Sequence, residues 1–335
     1  MKKFNAAIIG CGAVHNVHVN AISSLNNTQL CAVADTDTAI ADDAARRYDC
    51  RSYHSFSDVI ADPQIDTVHI CTPHHLHSSM AIEAMRAGKH VLTEKPMAIT
   101  AEECREMIRV SDQSGRQLGV CFQNRYNTTS IFIKELLRSG KAGHILAAKA
   151  SVTWLRKADY YLQSDWRGTW EKEGGGIMIN QAIHTLDLLQ WFIGNPVRIK
   201  GTIDNRMLGD VIEVEDTAEA TIIFENGIHA FFYATNSYHD SPVELELVCE
   251  NAVIKLSGAL TIQYSNGDTE NVRDVHPKTG EKAYYGVGHI SLIDDFYSSL
   301  AQGRPFPTDG RQGIEAVRLV RGLYSSSRSG KWIDL

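Results

Sequence analysis

Short apolar runs alternate with helical patterns through the first third of the chain, and this rhythm limits the fold more than any other feature. Candidate strands are Ala6–Gly10, Leu30–Asp35, Thr67–Cys71, His90–Leu92 and Leu118–Phe122, with candidate helices between them at Val14–Ser24, Thr38–Tyr48, Leu76–Ala87 and Thr100–Ser114. The last opens with Thr100-Ala101-Glu102-Glu103, a capping box that satisfies free N–H groups at a helix start. Parallel strands need a helical crossover, so the pattern predicts βαβ units and a parallel sheet over residues 1–122. After Phe122 the rhythm changes. Helices are expected at Thr128–Arg138 and Gly176–Phe192, then a strand-rich stretch from Val197 to about Val272 with hairpin signals at Asn226-Gly227 and Asn266-Gly267. Two helices, near Ile290–Ala301 and Ile314–Ser327, close the chain.

Composition excludes several classes. With 335 residues, two domains are expected, and 43% hydrophobic with 22% charged residues is ordinary for a folded soluble chain. No apolar run approaches the roughly 18 residues of a membrane span. The N-terminus shows no signal-peptide pattern, so a cytoplasmic location is expected. A net charge of −7 disfavours nucleic acid, whose phosphates demand clustered Lys and Arg. Seven cysteines without a C-x-x-C pattern indicate neither a disulfide framework nor a zinc ribbon.

The first strand runs into Gly10-Cys11-Gly12-Ala13-Val14-His15. A dinucleotide fingerprint places G-x-G-x-x-G at a strand-to-helix turn, where the first glycine permits the turn and the second lets the backbone approach a pyrophosphate. His15 takes the third position, which weakens helix–strand packing but leaves the phosphate site at Gly10, Gly12, Ala13 and Val14. The second strand ends at Asp35, whose carboxylate suits the adenosine ribose hydroxyls. Thr36-Asp37-Thr38 offers no Arg or Lys for a 2′-phosphate, and Asp37 would repel one. The expected cofactor is therefore NAD, and the fold class is α/β: a doubly wound Rossmann domain over 1–122, then a substrate-binding and oligomerisation α/β domain over 123–335 with a large open, mostly antiparallel sheet.

Three further segments carry chemistry: Cys71-Thr72-Pro73-His74-His75-Leu76-His77, the run from Gly88 to Glu94-Lys95-Pro96, and the run from Gly174-Gly175-Gly176 to His184 and Asp187. In order and spacing they resemble the Gfo/Idh/MocA oxidoreductases, the family of glucose–fructose oxidoreductase and inositol dehydrogenase. The resemblance covers essentially the whole chain. It implies that Lys95 reaches the substrate hydroxyl and His184 is the acid/base residue. It also implies that Glu94 and Lys95 border the nicotinamide, with Thr72 and Pro73 beside its ribose. The chemistry agrees, because oxidising an alcohol needs a proton acceptor that titrates near neutrality and a donor to the developing carbonyl oxygen.

Asn180, four residues before His184, stands where many members have Asp. It is expected on one helix face with the histidine, where it can orient a substrate hydroxyl or the imidazole. The preceding loop holds Trp154, Arg156, Tyr160, Tyr161, Asp165, Trp166, Arg167 and Trp170. Aromatic faces and charged forks suit sugar rings, so Arg167, Tyr161 and Trp166 join Asn180 as substrate-binding candidates. Weaker candidates are Asn124-Arg125-Tyr126, Tyr285 and His289; Asp187 is expected to pack within its helix. His69, His74, His75 and His77 are too scattered to converge, and no metal is expected. The resulting expectation is an NAD-dependent dehydrogenase acting on a secondary hydroxyl of a sugar, cyclitol or derivative, assembled as a homodimer or homotetramer. The alternatives are an NAD-using glycoside hydrolase working by transient oxidation and a non-catalytic ligand-binding relative.

Overall fold

A computed structural model describes residues 3–238, 241–274 and 288–335. The chain divides into two compact units. The first comprises residues 3–126 and 288–314 of those described, and the second the remainder.

The first unit runs β1 (Phe4–Ile9), α1 (His15–Ser24), β2 (Thr28–Ala34), α2 (Thr38–Tyr48), β3 (Arg51–Tyr53), α3 (Phe56–Ala61), β4 (Thr67–Ile70), α4 (His74–Arg86), β5 (His90–Thr93), α5 (Ala101–Ser114) and β6 (Leu118–Val120). The sheet order is β3-β2-β1-β4-β5-β6, with every neighbouring pair parallel. The order reverses between β1 and β4, and the crevice at the carboxyl ends of the strands there is where open α/β sheets take ligands. Local sequence dictates the helix ends. Asp37 caps α2 by accepting from the Ala39 and Ile40 N–H groups, and the Thr100–Glu103 capping box forms at α5.

The second unit runs α6 (Thr128–Arg138), β7 (Ile145–Thr153), α7 (Ala158–Leu162), α8 (Ile177–Asn180), α9 (Ile183–Ile193), β8 (Pro196–Asp204), β9 (Thr217–Phe224), β10 (His229–Thr235), β11 (Glu244–Cys249), β12 (Ala252–Ser257), β13 (Ala259–Tyr264) and β14 (Thr269–Val272). The chain then gives α10 (His289–Gln302) in the first unit, α11 (Gly310–Ser329) and β15 (Ile333–Asp334). The sheet order is β14-β13-β12-β11-β7-β10-β9-β8-β15. Only β7 and β10 pair in parallel; the other pairs are antiparallel.

Three features differ from the sequence reading. The division at residue 122 omits the return of α10 to the first unit. The apolar face of α10, Leu292, Ile293, Phe296 and Tyr297, is buried in that unit's core with Phe4, Val19 and Ile22. The helix expected over Gly176–Phe192 is two helices, because the Ala182 N–H reaches back five residues to the Ile177 carbonyl, 2.8 Å away, and breaks the four-residue ladder. The short pair β3 and α3 also carried no readable periodicity. No helix among the described residues is long and apolar enough to cross a membrane.

Candidate active site

The nucleotide crevice is built from the turn after β1. Gly10 has φ +90°, and a Cβ there would stand 2.7 Å from the Cys71 carbonyl oxygen, so only glycine fits. Gly12 faces open space, with nothing within 4 Å of where its Cβ would be, which leaves room for a phosphate against the N-terminus of α1. His15 buries its ring, and its Nδ1–H donates to the Gly12 carbonyl, 2.5 Å away. That bond holds the turn where the fingerprint would have a third glycine. Asp35 accepts from the Cys11 N–H at 2.8 Å and from the Asp37 N–H at 3.0 Å, one bond on each carboxylate oxygen. Each oxygen keeps a further lone pair for ribose hydroxyls. Beside it lies a cleft of about 340 Å³ lined in part by Cys11, His15, Asp37, Ile40 and Arg47. Arg47 was invisible to the local reading of residues 36–38; it is bonded to Asp43 at 2.8 Å. The turn, the open phosphate path and the carboxylate together fit NAD.

Thr72 and Pro73 follow β4, and Glu94, Lys95 and Pro96 follow β5, both at carboxyl ends of parallel strands. His77 ties the two loops together. Its Nε2 lies 2.8 Å from the Thr72 carbonyl and its Nδ1 2.7 Å from the Pro96 carbonyl. Burial pushes its pKa down, against the two carbonyls, which favour the protonated ring. Behind Lys95 lies a buried array that sequence reasoning missed. His18 Nε2 meets Glu94 Oε1, His18 Nδ1 meets His69 Nδ1, His69 Nε2 meets the Tyr297 hydroxyl, and that hydroxyl meets Thr67. Glu94 Oε2 accepts the backbone N–H of Lys95 at 3.2 Å.

Two of the four histidines weighed for a metal, His69 and His77, are thus engaged in hydrogen bonds. Among the described residues one group, His18, Glu94 and Cys121, has its donor atoms within 4.8 Å of one another. Glu94 holds the three together, hydrogen-bonded to both His18 and Cys121. His289 is buried with Nε2 3.9 Å from the same Glu94 oxygen. Arg125 and Tyr126 pack within the first unit, donating to Gln312 and Asp295. Tyr285 lies outside the described residues.

In the second unit two glycines of the triplet stand where side chains cannot fit. A Cβ on Gly176 would stand 1.9 Å from the Glu215 carbonyl oxygen, and one on Gly175 1.9 Å from the Tyr324 hydroxyl. Glu215, buried, accepts from the Gly176 and Met178 N–H groups and from Tyr324. It thereby pins the start of α8. Asn180 ends α8 and His184 lies in the first turn of α9; both are buried, His184 to 8% exposure. The two helices, not one continuous face, position them. Asn180 Nδ2 donates to Glu173 Oε1 at 2.5 Å and to the Tyr160 hydroxyl at 3.4 Å. The Arg167 guanidinium stacks over the rings of Tyr160 and Trp166 at 4.5 and 5.0 Å.

The structure buries Tyr161, read from sequence as a substrate contact, among Leu208, Ile212 and Val214, where its hydroxyl accepts from Asn236. Its neighbour Tyr160 is the tyrosine that meets Asn180 and Arg167. Trp170 packs edge-on against Tyr324 and donates to the Glu213 carbonyl. Asp187 is buried and accepts from Gln190 one turn on.

Fold and crevice define an NAD-binding oxidoreductase. The pattern of the oxidoreductase family with the NAD-binding Rossmann fold matches residues 4–122, and that of the Gfo/Idh/MocA C-terminal domain matches residues 131–255; the chain belongs to this family. An uncharacterized oxidoreductase of Synechocystis sp. is 32% identical over 98% of this chain and 95% of its own length. The inositol 2-dehydrogenase of Rubrobacter xylanophilus is 29% identical over 98% of this chain and 92% of its own. The crystal structure of the WlbA dehydrogenase from Bordetella pertussis, in complex with NADH and UDP-GlcNAcA, superposes with a TM-score of 0.86 at 29% identity, covering 100% of this chain and 99% of that one.

Proposed function

We propose that this NAD-dependent dehydrogenase moves a hydride between the nicotinamide and a secondary hydroxyl or ketone of a sugar, cyclitol or sugar derivative. The observation that carries the reading is the position of Lys95. It lies just past Glu94 at the carboxyl end of β5, next in the sheet to β4 and the Thr72-Pro73 loop, on the side of the sheet where Gly10 and Asp35 shape the dinucleotide crevice. Bound NAD supplies the hydride acceptor. In the oxidative direction Lys95 donates a hydrogen bond to the oxygen that becomes the carbonyl, and His184 takes the hydroxyl proton. Asn180, Tyr160, Trp166 and Arg167 surround the ring: Arg167 and the aromatics supply a fork and flat faces, and Asn180 supplies an amide. The names of the relatives, one acting on inositol and one holding a nucleotide sugar acid, support a polyhydroxylated ring.

A panel of sugars, cyclitols and nucleotide sugars followed at the NADH absorbance tests this. Stoichiometric NADH and ketone are expected. Cleavage of a glycoside without accumulating NADH would instead indicate transient oxidation. Lys95→Ala and His184→Ala should each lower turnover at least a hundredfold while NAD binding, read by fluorescence, changes less than threefold. Wild-type turnover in either variant sinks the assignment.

The open face of the second sheet carries Phe231, 61% exposed, beside Tyr233 and the Lys149–Glu246–Lys255 charge cluster. A face of this kind suits burial in a homodimer or homotetramer. A monomer in light scattering at micromolar concentration would count against it. All seven cysteines are free, which suits a reducing cytoplasm.

A further inference from the structure

Glu173 stands directly before the glycine triplet and has no part in the reaction as assigned. Its residue is 0% exposed. Oε2 accepts from the Gly168 N–H and Oε1 from the Asn180 amide, both at 2.5 Å. Because Asn180 Nδ2 also donates to Tyr160, the nitrogen end of that amide is turned toward Glu173 and Tyr160, and the carbonyl end is turned away.

Groups of both signs face this carboxyl. Tyr160 and Tyr161 come from α7, Arg167 from the following loop, Glu215 from the segment before β9, and Tyr324 from α11, whose Arg321 donates to the Gly174 carbonyl. Burial dominates. Against the bonds from Gly168 and Asn180, and with Glu215 adding repulsion, it pushes Glu173 up to about 7.

We propose that Glu173 is a positioning residue that decides which end of the Asn180 amide meets the substrate. An ionised Glu173 only accepts, so Asn180 gives it N–H and offers its carbonyl oxygen to a substrate hydroxyl. When Oε1 takes one proton from solvent, it becomes a donor. A half-turn of the amide then puts Oδ1 against that O–H and turns NH₂ toward the substrate, while Oε2 keeps its bond from Gly168. A hydroxyl seated as donor to the carbonyl loses its acceptor in the second state. This rests on Asn180 meeting the substrate beside His184.

Glu173→Gln is the fixed analogue of the protonated state. Its Oε1 accepts from Gly168, and its Nε2 donates to Asn180 Oδ1. The test has two arms on the full-length protein. In the first, wild type, Glu173→Gln and Asn180→Asp carrying [5-¹³C]glutamate are titrated by ¹³C NMR. One resonance with a midpoint of about 7 is expected in wild type, absent in Glu173→Gln, and moved upward in Asn180→Asp by the added like charge. In the second arm, KM for myo-inositol and D-glucose should fall at least threefold from pH 6 to pH 8 in wild type. It should stay flat in Glu173→Gln at the acid value. A Glu173 midpoint in the ordinary carboxylate range, or an Asn180→Asp titration unmoved, overturns the proposal. So does a wild-type KM flat with pH while the substrate turns over. Turnover of neither probe moves the second arm to the sugar, cyclitol or nucleotide sugar of the panel that turns over; turnover of none overturns the substrate assignment instead, and the NMR arm still decides whether Glu173 and Asn180 are coupled.

Discussion

His18 Nε2 lies 2.9 Å from Glu94 Oε1, with the histidine side chain fully buried and the glutamate nearly so. An ionised carboxylate only accepts, so Nε2 carries the proton and Nδ1 of a neutral ring must accept from His69. His69 then accepts at Nε2 from Tyr297, whose oxygen accepts from Thr67. Every donor in the array points toward Glu94, whose second oxygen holds the Lys95 N–H. Burial alone would raise the Glu94 pKa. The hydrogen bond from His18 and the positive charge of Lys95 outweigh it and hold the carboxyl well below the usual range.

His18→Phe should therefore lower the unfolding free energy by about 3–5 kcal/mol at pH 7, because it leaves a buried charge without its donor. Adding Glu94→Gln should recover part of that loss by removing the charge. Urea unfolding of the single and double variants measures both effects. Additive losses would show that the two residues are not coupled. A carboxyl with a depressed folded pKa contributes stability above its unfolded value of about 4.5, lost as pH falls through the folded value. The His18→Phe defect should accordingly shrink in acid.

Asp35→Ala should weaken NAD at least tenfold and reduce the preference over NADP. Both Asp35 oxygens also brace the turn through Cys11 and Asp37, so part of the loss should appear for NADP as well. Titration of both cofactors by protein fluorescence checks this. A wild type that prefers NADP tenfold would show that Arg47, in the same cleft, outweighs Asp35 and Asp37.

Gly176→Ala should destabilise the protein by more than about 3 kcal/mol, because backbone, not a flexible side chain, blocks the new methyl. Gly12→Ala meets open space. It should leave the melting temperature within a few degrees and still weaken NAD by crowding the phosphate path. Thermal melts and cofactor titration of the two variants separate the fold-building glycine from the ligand-facing one.

The local parts of this architecture were legible in sequence. Thr100 to Glu103 spans four residues, the turn at Gly10 follows an apolar run, and both motifs were read correctly as helix and strand ends. What escaped was long-range. His18 pairs with Glu94 across 76 positions and His69 with Tyr297 across 228, and no periodicity links them. The return of α10 was hidden for the same reason, since an amphipathic helix does not state which sheet it covers. Tyr160 and Tyr161 are adjacent and chemically identical, and only the packing of Leu208, Ile212 and Val214 around Tyr161 decides which faces Asn180. Glu173 was passed over because a glutamate in a polar loop usually faces solvent.

Glu173 gives the molecule a pH signature opposite to that of Glu94. Its folded pKa of about 7 lies above the ordinary 4.5. Below 4.5 the carboxyl is protonated in both the folded and the unfolded chain, and it contributes no pH dependence. Between 4.5 and about 7 the unfolded chain releases the proton and the folded chain keeps it, so stability falls as pH rises, by about 1.4 kcal/mol per unit at most. Above the folded value both states are ionised, and a penalty on the order of 3 kcal/mol remains constant. Glu173→Gln, which keeps the shape and the Gly168 bond, should remove that slope. Its stability should match wild type at pH 4.5 and exceed it by a few kcal/mol at pH 8. Chemical unfolding at several pH values provides the measurement. Parallel wild-type and variant curves from pH 4.5 to 8 would mean that the carboxyl titrates alike in the folded and unfolded chains.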